Sequence, residues 1–505
     1  MNIKECKIEI RNTIQAYLKK DEFGAYMIPV KHQRPILLMG PPGIGKTAIM
    51  EQIARECEIG LVSYTITHHT RQSAIGLPKI EQRSFQGLEY TVTDYTMSEI
   101  IASVFEKMEN TGLKEGILFL DEINCVSETL APTMLQFLQN KTFGNHSIPE
   151  GWIVVGAGNP PEYNRSVREF DIVTLDRVKR IELIEDYNVW KEYAYIQKLH
   201  GSILSYLEIK KNNFYIIEMS VDGKQFVTAR GWEDLSQILY AYEVLHLPVT
   251  EEVVRGYLQH PKIAKDFANY YELYLKYRQD YQVQDILDGK AELHLKRQLR
   301  TAGFDERLSV LSLLLDRLSC DFYESYQMGE YLKRLHATLK EVKEYFANAY
   351  MEPEVIMTDI ITQKEKELAD KKLAGLLDRT QGQVLNKLIL KLYYFKEQIL
   401  LNRLKENDHA FSYIKAEFDA MVEDYQNKIT TTSNSLENSF IFLEETFGES
   451  QELVVFLTEL TGNFYSMKFI GEHGSEHYVK HNQSLLFSDT KQELLNEIEE
   501  LKQLS

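Results

Sequence analysis

The stretch Gly40-Pro41-Pro42-Gly43-Ile44-Gly45-Lys46-Thr47 carries the clearest chemistry in this chain. It fits the pattern GxxxxGK[ST], in which glycines let the backbone curl until its N–H groups face a polyphosphate. The positive end of the following helix adds to that attraction. Lys46 would meet the β- and γ-phosphates, and the Thr47 hydroxyl would ligate Mg²⁺. A glycine-rich turn can match such a pattern by chance. Here the apolar run Ile36-Leu37-Leu38-Met39 precedes it, and Ala48 to Cys57 follow with no Gly or Pro. Strand, loop and helix therefore stand in the required order. Pro42, Gly43, Ile44, Gly45, Lys46, Thr47 and Ala48 are the residues expected to line ATP.

A second element supplies acids. Gly116-Ile117-Leu118-Phe119-Leu120-Asp121-Glu122 is an apolar strand ending in two carboxylates, at the strand edge where open α/β sheets place ligands. Asp121 would hold Mg²⁺ through its water shell, and Glu122 would polarise the attacking water. Asn159, closing Val154-Val155-Gly156-Ala157-Gly158-Asn159-Pro160, can bond that water or the γ-phosphate. By itself it would be a turn-forming Asn before Pro. Arg177, in Leu175-Asp176-Arg177-Val178, suits a γ-phosphate held by a neighbouring subunit, a contact worth about 10³–10⁵ in rate. Arg230, in Thr228-Ala229-Arg230-Gly231-Trp232, opens a helix and could close onto the nucleotide from a lid. Taken singly, either arginine is more simply a surface ion pair. Their order behind the phosphate loop favours the nucleotide.

The elements that must position these groups follow from periodicity. Residues 1–24 read as a helix ending at Asp21-Glu22-Phe23-Gly24. Met27-Ile28-Pro29-Val30 could line one side of a base pocket. Apolar strands at 36–39, 60–66, 117–120, 152–157 and 179–184 alternate with helical patterns, which predicts a parallel sheet flanked by helices. Residues 70–98 interrupt the alternation with Gly76, Pro78 and Gly87, and 88–93 reads as an extra strand. A hairpin is expected around Asn140 to Pro149. Residues 186–206 and 232–260 read as amphipathic helices separated by a strand-like piece near 214–227. From 263 to 460 the pattern is helical, with Leu385, Leu388, Leu392, Phe395 and Ile399 marking one face. Residues 429–437 read as a loop, 464–488 as mixed, and 489–503 as an acidic helix.

At 505 residues the chain should hold two or more domains. Its 57 basic and 75 acidic residues leave a formal charge of −18, which disfavours a broad nucleic-acid or anionic-membrane surface. Cys6, Cys57, Cys125 and Cys320 show no metal-type spacing and read as thiols of a reducing compartment. Ile3 to Leu18 mixes apolar and charged residues, unlike a secretory leader, and no run is long enough to span a membrane. A cytoplasmic protein is expected.

This order of parts resembles the AAA+ ATPases, and more narrowly the MoxR-type family with its helix-2 insertion. The resemblance rests on GPPGIGKT (40–47), ILFLDEIN (117–124), VVGAGNP (154–160), TLDRV (174–178) and TARGW (228–232), and spans about residues 26–260. It implies an α/β core with a parallel sheet flanked by helices over 1–184 and a helical lid over 185–262; beyond the resemblance, the helical pattern makes 263–505 a mainly helical domain, expected as a partner or substrate adaptor. It makes Asn159 the first sensor, Arg177 the trans-acting finger and Arg230 the second sensor. Val178 stands where the family carries Phe, which leaves Arg180 as an alternative finger. The family also implies a homo-oligomeric ring, commonly a hexamer. Its members remodel protein substrates, often with partners bearing a von Willebrand factor A domain.

Two other readings compete. A nucleic-acid motor or restriction-type NTPase could use the same core, although the acidic balance and scattered Lys191, Lys198, Lys210 and Lys211 argue against it. The complete set Lys46, Thr47, Asp121, Glu122 and Asn159 argues against a nucleotide-dependent scaffold that hydrolyses little. His473, His477 and His481 recur every fourth residue as zinc ligands on a helix do, but Gly474-Ser475 weakens that helix. Trp152 and Trp232 read as packing anchors.

Overall fold

Short apolar runs alternating with helices build the N-terminal part of the molecule. In chain order these are α1 (Ile3–Leu18), β1 (Ile36–Met39), α2 (Lys46–Glu56), β2 (Gly60–Thr65), β3 (Pro78–Phe85), β4 (Leu88–Tyr95) and α3 (Glu99–Thr111). Then come β5 (Gly116–Asp121), α4 (Ala131–Asn140), β6 (Thr142–Phe143), β7 (His146–Ser147), β8 (Trp152–Gly158), α5 (Ile172–Leu175) and β9 (Lys179–Glu182). The computed structural model describes residues 1–68, 76–126, 130–143, 145–163, 167, 170–220, 223–348 and 351–483. The chain forms two compact units, one of Met1–Val189 with Thr362–Gln383, the other of Trp190–Ile361 with the chain from Val384 on.

In the first unit the strands form one parallel sheet in the order β2-β5-β8-β1-β9. Side chains alternate across it with period two. Ile117, Phe119, Ile153, Val155, Ile36 and Leu38 join Ile10, Ile14, Ile49 and Ile53 of α1 and α2 on one face. Leu118, Leu120, Val154 and Leu37 meet Ile101, Val104 and Phe137 of α3 and α4 on the other. Strands covered on both faces must read as unbroken apolar runs, and each such side chain contributes about 1.5–3 kcal/mol on burial. Trp152 is 2% exposed. Its ring lies where a Cβ at Gly116 would approach within 2.7 Å, so neighbouring β5 must carry glycine there.

The interruption at 70–98 contains an antiparallel hairpin in which β3 pairs β4 from Pro78↔Tyr95 to Phe85↔Leu88. Gln86 and Gly87 both have positive φ, 53° and 82°, which matches a tight two-residue turn. The extra strand expected at 88–93 is thus half of a longer arm; residues 69–75 lie outside the described residues. β6 and β7 form the small hairpin expected before β8.

The second unit contains α7 (Gly201–Ile209), a hairpin of β10 (Ile216–Ser220) and β11 (Gly223–Val227), α8 (Ala229–Leu245), α9 (Glu251–Tyr257) and α10 (Pro261–Asp280), after α6 (Tyr187–Ile196), which crosses the boundary between the units. Farther on, α11 (Val283–Leu287), α12 (Leu293–Thr301), α13 (Phe304–Asn348), α14 (Pro353–Ala374), α15 (Arg379–Leu401), α16 (Asn407–Phe447), α17 (Gln451–Gly462) and α18 (Phe464–His473) complete a mainly helical region, of which Thr362–Gln383, in α14 and α15, belongs to the first unit. At 45 residues, α13 is about 67 Å long. Its Leu311, Leu314, Leu318 and Phe322 share a core with Leu436, Phe440, Leu443 and Phe456.

Residues 429–437, expected as a loop from their Thr and Ser content, are instead the middle of α16. The hydroxyls do not break the helix because they bond back along it. Thr430 and Thr431 donate to the carbonyls of Gln426 and Asn427 at 3.0 and 2.9 Å. Thr432 and Ser435 are buried, and Leu436 is fully so, so core packing outweighs the weak local preference. The described part of the mixed segment, 464–483, forms α18 and a helix at 476–483, while 484–488 and the acidic helix expected at 489–503 lie outside the described residues. None of the described helices is long and apolar enough to cross a membrane.

Candidate active site

The phosphate loop connects β1 to α2. Gly43 and Gly45 have φ of 74° and 92°, a left-handed backbone that glycine adopts without strain. Gly45 is the N-cap of α2 and supplies no side chain to it, so the first-turn N–H groups point outward with no side-chain cap. A Cβ at Gly45 would meet nothing within 4 Å, which leaves open space over the loop. Gly40 is different. A Cβ there would lie 2.6 Å from Cβ of Leu183, so its role is close packing.

Lys46 is buried, and its ammonium donates to the carbonyls of Gly40 and Pro41 at 2.8 and 2.9 Å and to Asn159 Oδ1 at 2.8 Å. Thr47 Oγ1 donates to Asp121 Oδ2 at 3.2 Å. Asp121 Oδ1 in turn accepts from the Glu122 N–H at 2.9 Å. Glu122 has a φ of 54°, uncommon for a side chain of this size. The turn it makes after β5 lets Cys125 N–H bond its carbonyl at 2.9 Å. Parallel strands thus carry Lys46, Thr47, Asp121 and Asn159 to one edge of the sheet, the carboxyl edge where such folds bind ligands.

These residues fit a polyphosphate with Mg²⁺. The α2 N-terminus and Lys46 suit the anion, and Thr47 with Asp121 is the paired hard-oxygen set this ion prefers. Bound there, the ion would neutralise charge on the phosphate oxygens.

Arg177 and Arg180 bond to other residues of the first unit. Arg177 follows α5, is exposed, and donates to Gln139 Oε1 of α4. Arg180 pairs with Glu182 at 2.7 Å. Val178 is 4% exposed and packs with the α3–α4 face, so an apolar side chain is kept where the resembled family has Phe. Arg230 belongs to the second unit, in the first turn of α8, where Thr228 Oγ1 accepts from Gly231 N–H at 3.3 Å. Nearby Trp232 is fully buried and donates to the Phe214 carbonyl at 3.1 Å. His477 and His481 face Glu437 and Glu444 of α16. No group of three His, Cys, Asp or Glu poised for a metal occurs among the described residues.

Two residues with no role assigned from sequence touch the site. Thr67 Oγ1 donates to Glu122 Oε2 at 3.1 Å. Asn124 Nδ2 donates to the Asn159 carbonyl at 2.8 Å. Asn124 lies within the acidic strand motif, but its polar amide at a buried turn had no periodic signal. Thr67 follows β2 in a run of Thr and His with no pattern to mark it.

Residues 36–181, from β1 to β9, match the family model for the ATPase family associated with various cellular activities (AAA). The five-stranded parallel sheet, the loop between β1 and α2 and the acidic end of β5 form an AAA domain, and the class of enzyme this defines is ATP hydrolase. Comparison with curated proteins gives no match. Among solved structures, a candidate ATPase from Cytophaga hutchinsonii is similar over 50% of this chain and 83% of its own, at 15% identity and a TM-score of 0.22. That likeness is too slight to bear on fold or function.

Proposed function

We propose that this chain is a MoxR-like AAA+ ATPase that couples ATP hydrolysis to the remodelling of protein partners, as a homo-oligomeric, commonly hexameric, ring. The observation that carries the reading is the meeting of Lys46, Thr47, Asp121 and Asn159 at one sheet edge beside an uncapped helix N-terminus. In this reading Pro42 to Ala48 enclose the phosphates, and Thr47 and Asp121 hold Mg²⁺. Glu122 orients the attacking water and takes up its proton, while Asn159 fixes the water or the γ-phosphate. Arg177 is the finger for a neighbouring subunit's nucleotide, a reading supported by its exposure and its bond to the neutral Gln139. Arg230 serves as the second sensor from a lid over 185–262.

The MoxR assignment rests on the five quoted motifs and on a β3–β4 hairpin where that family has its insertion. The same resemblance makes a protein bearing a von Willebrand factor A domain the expected partner in the cytoplasm, and the helical part 263–505 is read as the adaptor that recruits a protein partner. The test is the Glu122→Gln chain with ATP and Mg²⁺. It should bind nucleotide, turn over at under about 1% of the unaltered rate, sediment as a ring and retain a protein partner. Normal turnover would remove Glu122 from its role. A salt-sensitive rise in hydrolysis by the unaltered chain on adding DNA or RNA would favour a nucleic-acid motor instead.

A further inference from the structure

We infer that Asn124 is a positioning residue that sets the height of Asn159 over the phosphate loop, an inference that rests on the role proposed for Asn159. The β5–β8 ladder runs in register as far as Leu120↔Gly156. Beyond it the chain turns at Glu122, and a single backbone bond, Ile123 N–H to the Ala157 carbonyl at 2.9 Å, continues the pairing. The Asn159 carbonyl lies past the reach of that ladder. Asn124 replaces the missing strand with its side chain, donating Nδ2 to this carbonyl at 2.8 Å.

The rest of the amide shows what this placement costs. Asn124 is 2% exposed, and its Oδ1 is buried with no hydrogen-bond partner among the described residues. A buried acceptor left unsatisfied is destabilising, and an apolar side chain of the same shape would avoid the penalty. The amide also lies close against Gly158, the residue before Asn159. A Cβ at Gly158 would stand 2.5 Å from Asn124 Oδ1 and 2.8 Å from its Cγ, so Gly158 is the residue that lets the amide approach. Stability alone does not account for a half-satisfied buried amide fitted to a glycine. Position does, because the Asn159 peptide it grips carries the side chain that accepts from Lys46 Nζ at 2.8 Å. Asn124 therefore links the acidic end of β5 to the phosphate loop through Asn159.

A double-mutant cycle in the full chain tests this, with Asn124→Ala, Asn159→Ala and the double substitution, measuring kcat, KM and melting temperature. Asn124→Leu, close in shape and free of the orphaned acceptor, serves as a second variant that should fold. Both Asn124 substitutions should lower kcat about tenfold, the scale of one well-placed hydrogen bond, with KM within about twofold. In the Asn159→Ala background, Asn124→Ala should cost kcat almost nothing more, since both act through one group. Additive losses, or a fall in melting temperature with kcat unchanged for the folded Asn124→Leu chain, would overturn the inference. If Asn159→Ala leaves kcat intact, the proposed role of Asn159 fails, and the positioning role falls with it. If Asn159→Ala is impaired and neither Asn124 variant is, only the positioning role fails.

Discussion

The Thr67 hydroxyl, two residues beyond the end of β2, donates to Glu122 Oε2 at 3.1 Å and draws the carboxylate toward the β2 side of the site. That bond occupies a lone pair of Oε2 with which the carboxylate would otherwise accept from the attacking water. It also holds the group in one orientation. Thr67→Val keeps the shape and removes the donor. Basal turnover should then rise about two- to fivefold with KM unchanged, the range expected for one modest bond released from a general base. A fall in turnover would mean that this bond places Glu122 for catalysis.

Lys46→Ala removes the buried ammonium that three acceptors share, the carbonyls of Gly40 and Pro41 and the amide oxygen of Asn159. Losing a charged donor to phosphate should weaken ATP binding about 100-fold, or roughly 2.7 kcal/mol. Equilibrium titration with a fluorescent ATP analogue reads this directly. Affinity within threefold of the unaltered chain would refute a phosphate-binding role for Lys46.

Arg177→Ala should act mainly on kcat, because a finger meets charge that develops in the transition state. Mixing Arg177→Ala with Lys46→Ala chains tests whether sites are shared. Each alone should be nearly inactive, and mixed rings contain interfaces pairing an intact phosphate loop with an intact Arg177. Once a mixed-tag pull-down shows subunit exchange, part of the turnover should return. Full activity of a dilute monomer, checked by sedimentation, would eliminate the shared-site scheme.

In the second unit, Glu243 accepts from Arg278 Nη1 at 2.9 Å, Tyr271 Oη at 3.2 Å and His200 Nε2 at 3.3 Å. Burial pushes its carboxyl up, but the hydrogen bonds from His200 and Arg278, and their charges, outweigh burial and bring it down to about 2. A carboxylate depressed in the folded state stabilises fully above its unfolded value, and that contribution is lost as pH falls toward 2. Partial exposure and solvent screening reduce it to about 1–2 kcal/mol. Glu243→Gln should therefore lower the melting temperature at pH 7, with the gap to the unaltered chain shrinking by about half at pH 3. A gap independent of pH would mean that packing, not charge, accounts for the loss.

What the sequence alone determined was local. The glycines and Lys46-Thr47 between an apolar strand and a helix, the carboxylates closing β5, and the apolar runs of β1, β5 and β8 are all written within ten residues of themselves. Periods of two and 3.6 reveal such elements because backbone geometry repeats them. The tertiary structure decided what lies across the chain. Lys46 meets Asn159 113 positions away, and Thr47 meets Asp121 74 positions away, because parallel strands joined by crossovers bring distant carboxyl ends to one edge. Thr67 and Asn124 entered the site the same way, through single polar contacts that leave no repeating pattern. Composition misled at 429–437, where Thr and Ser favour a loop only when no core competes. There the buried Thr432, Ser435 and Leu436 hold α16 in one piece. Weak local preferences give way when burial of a long helix face outweighs them.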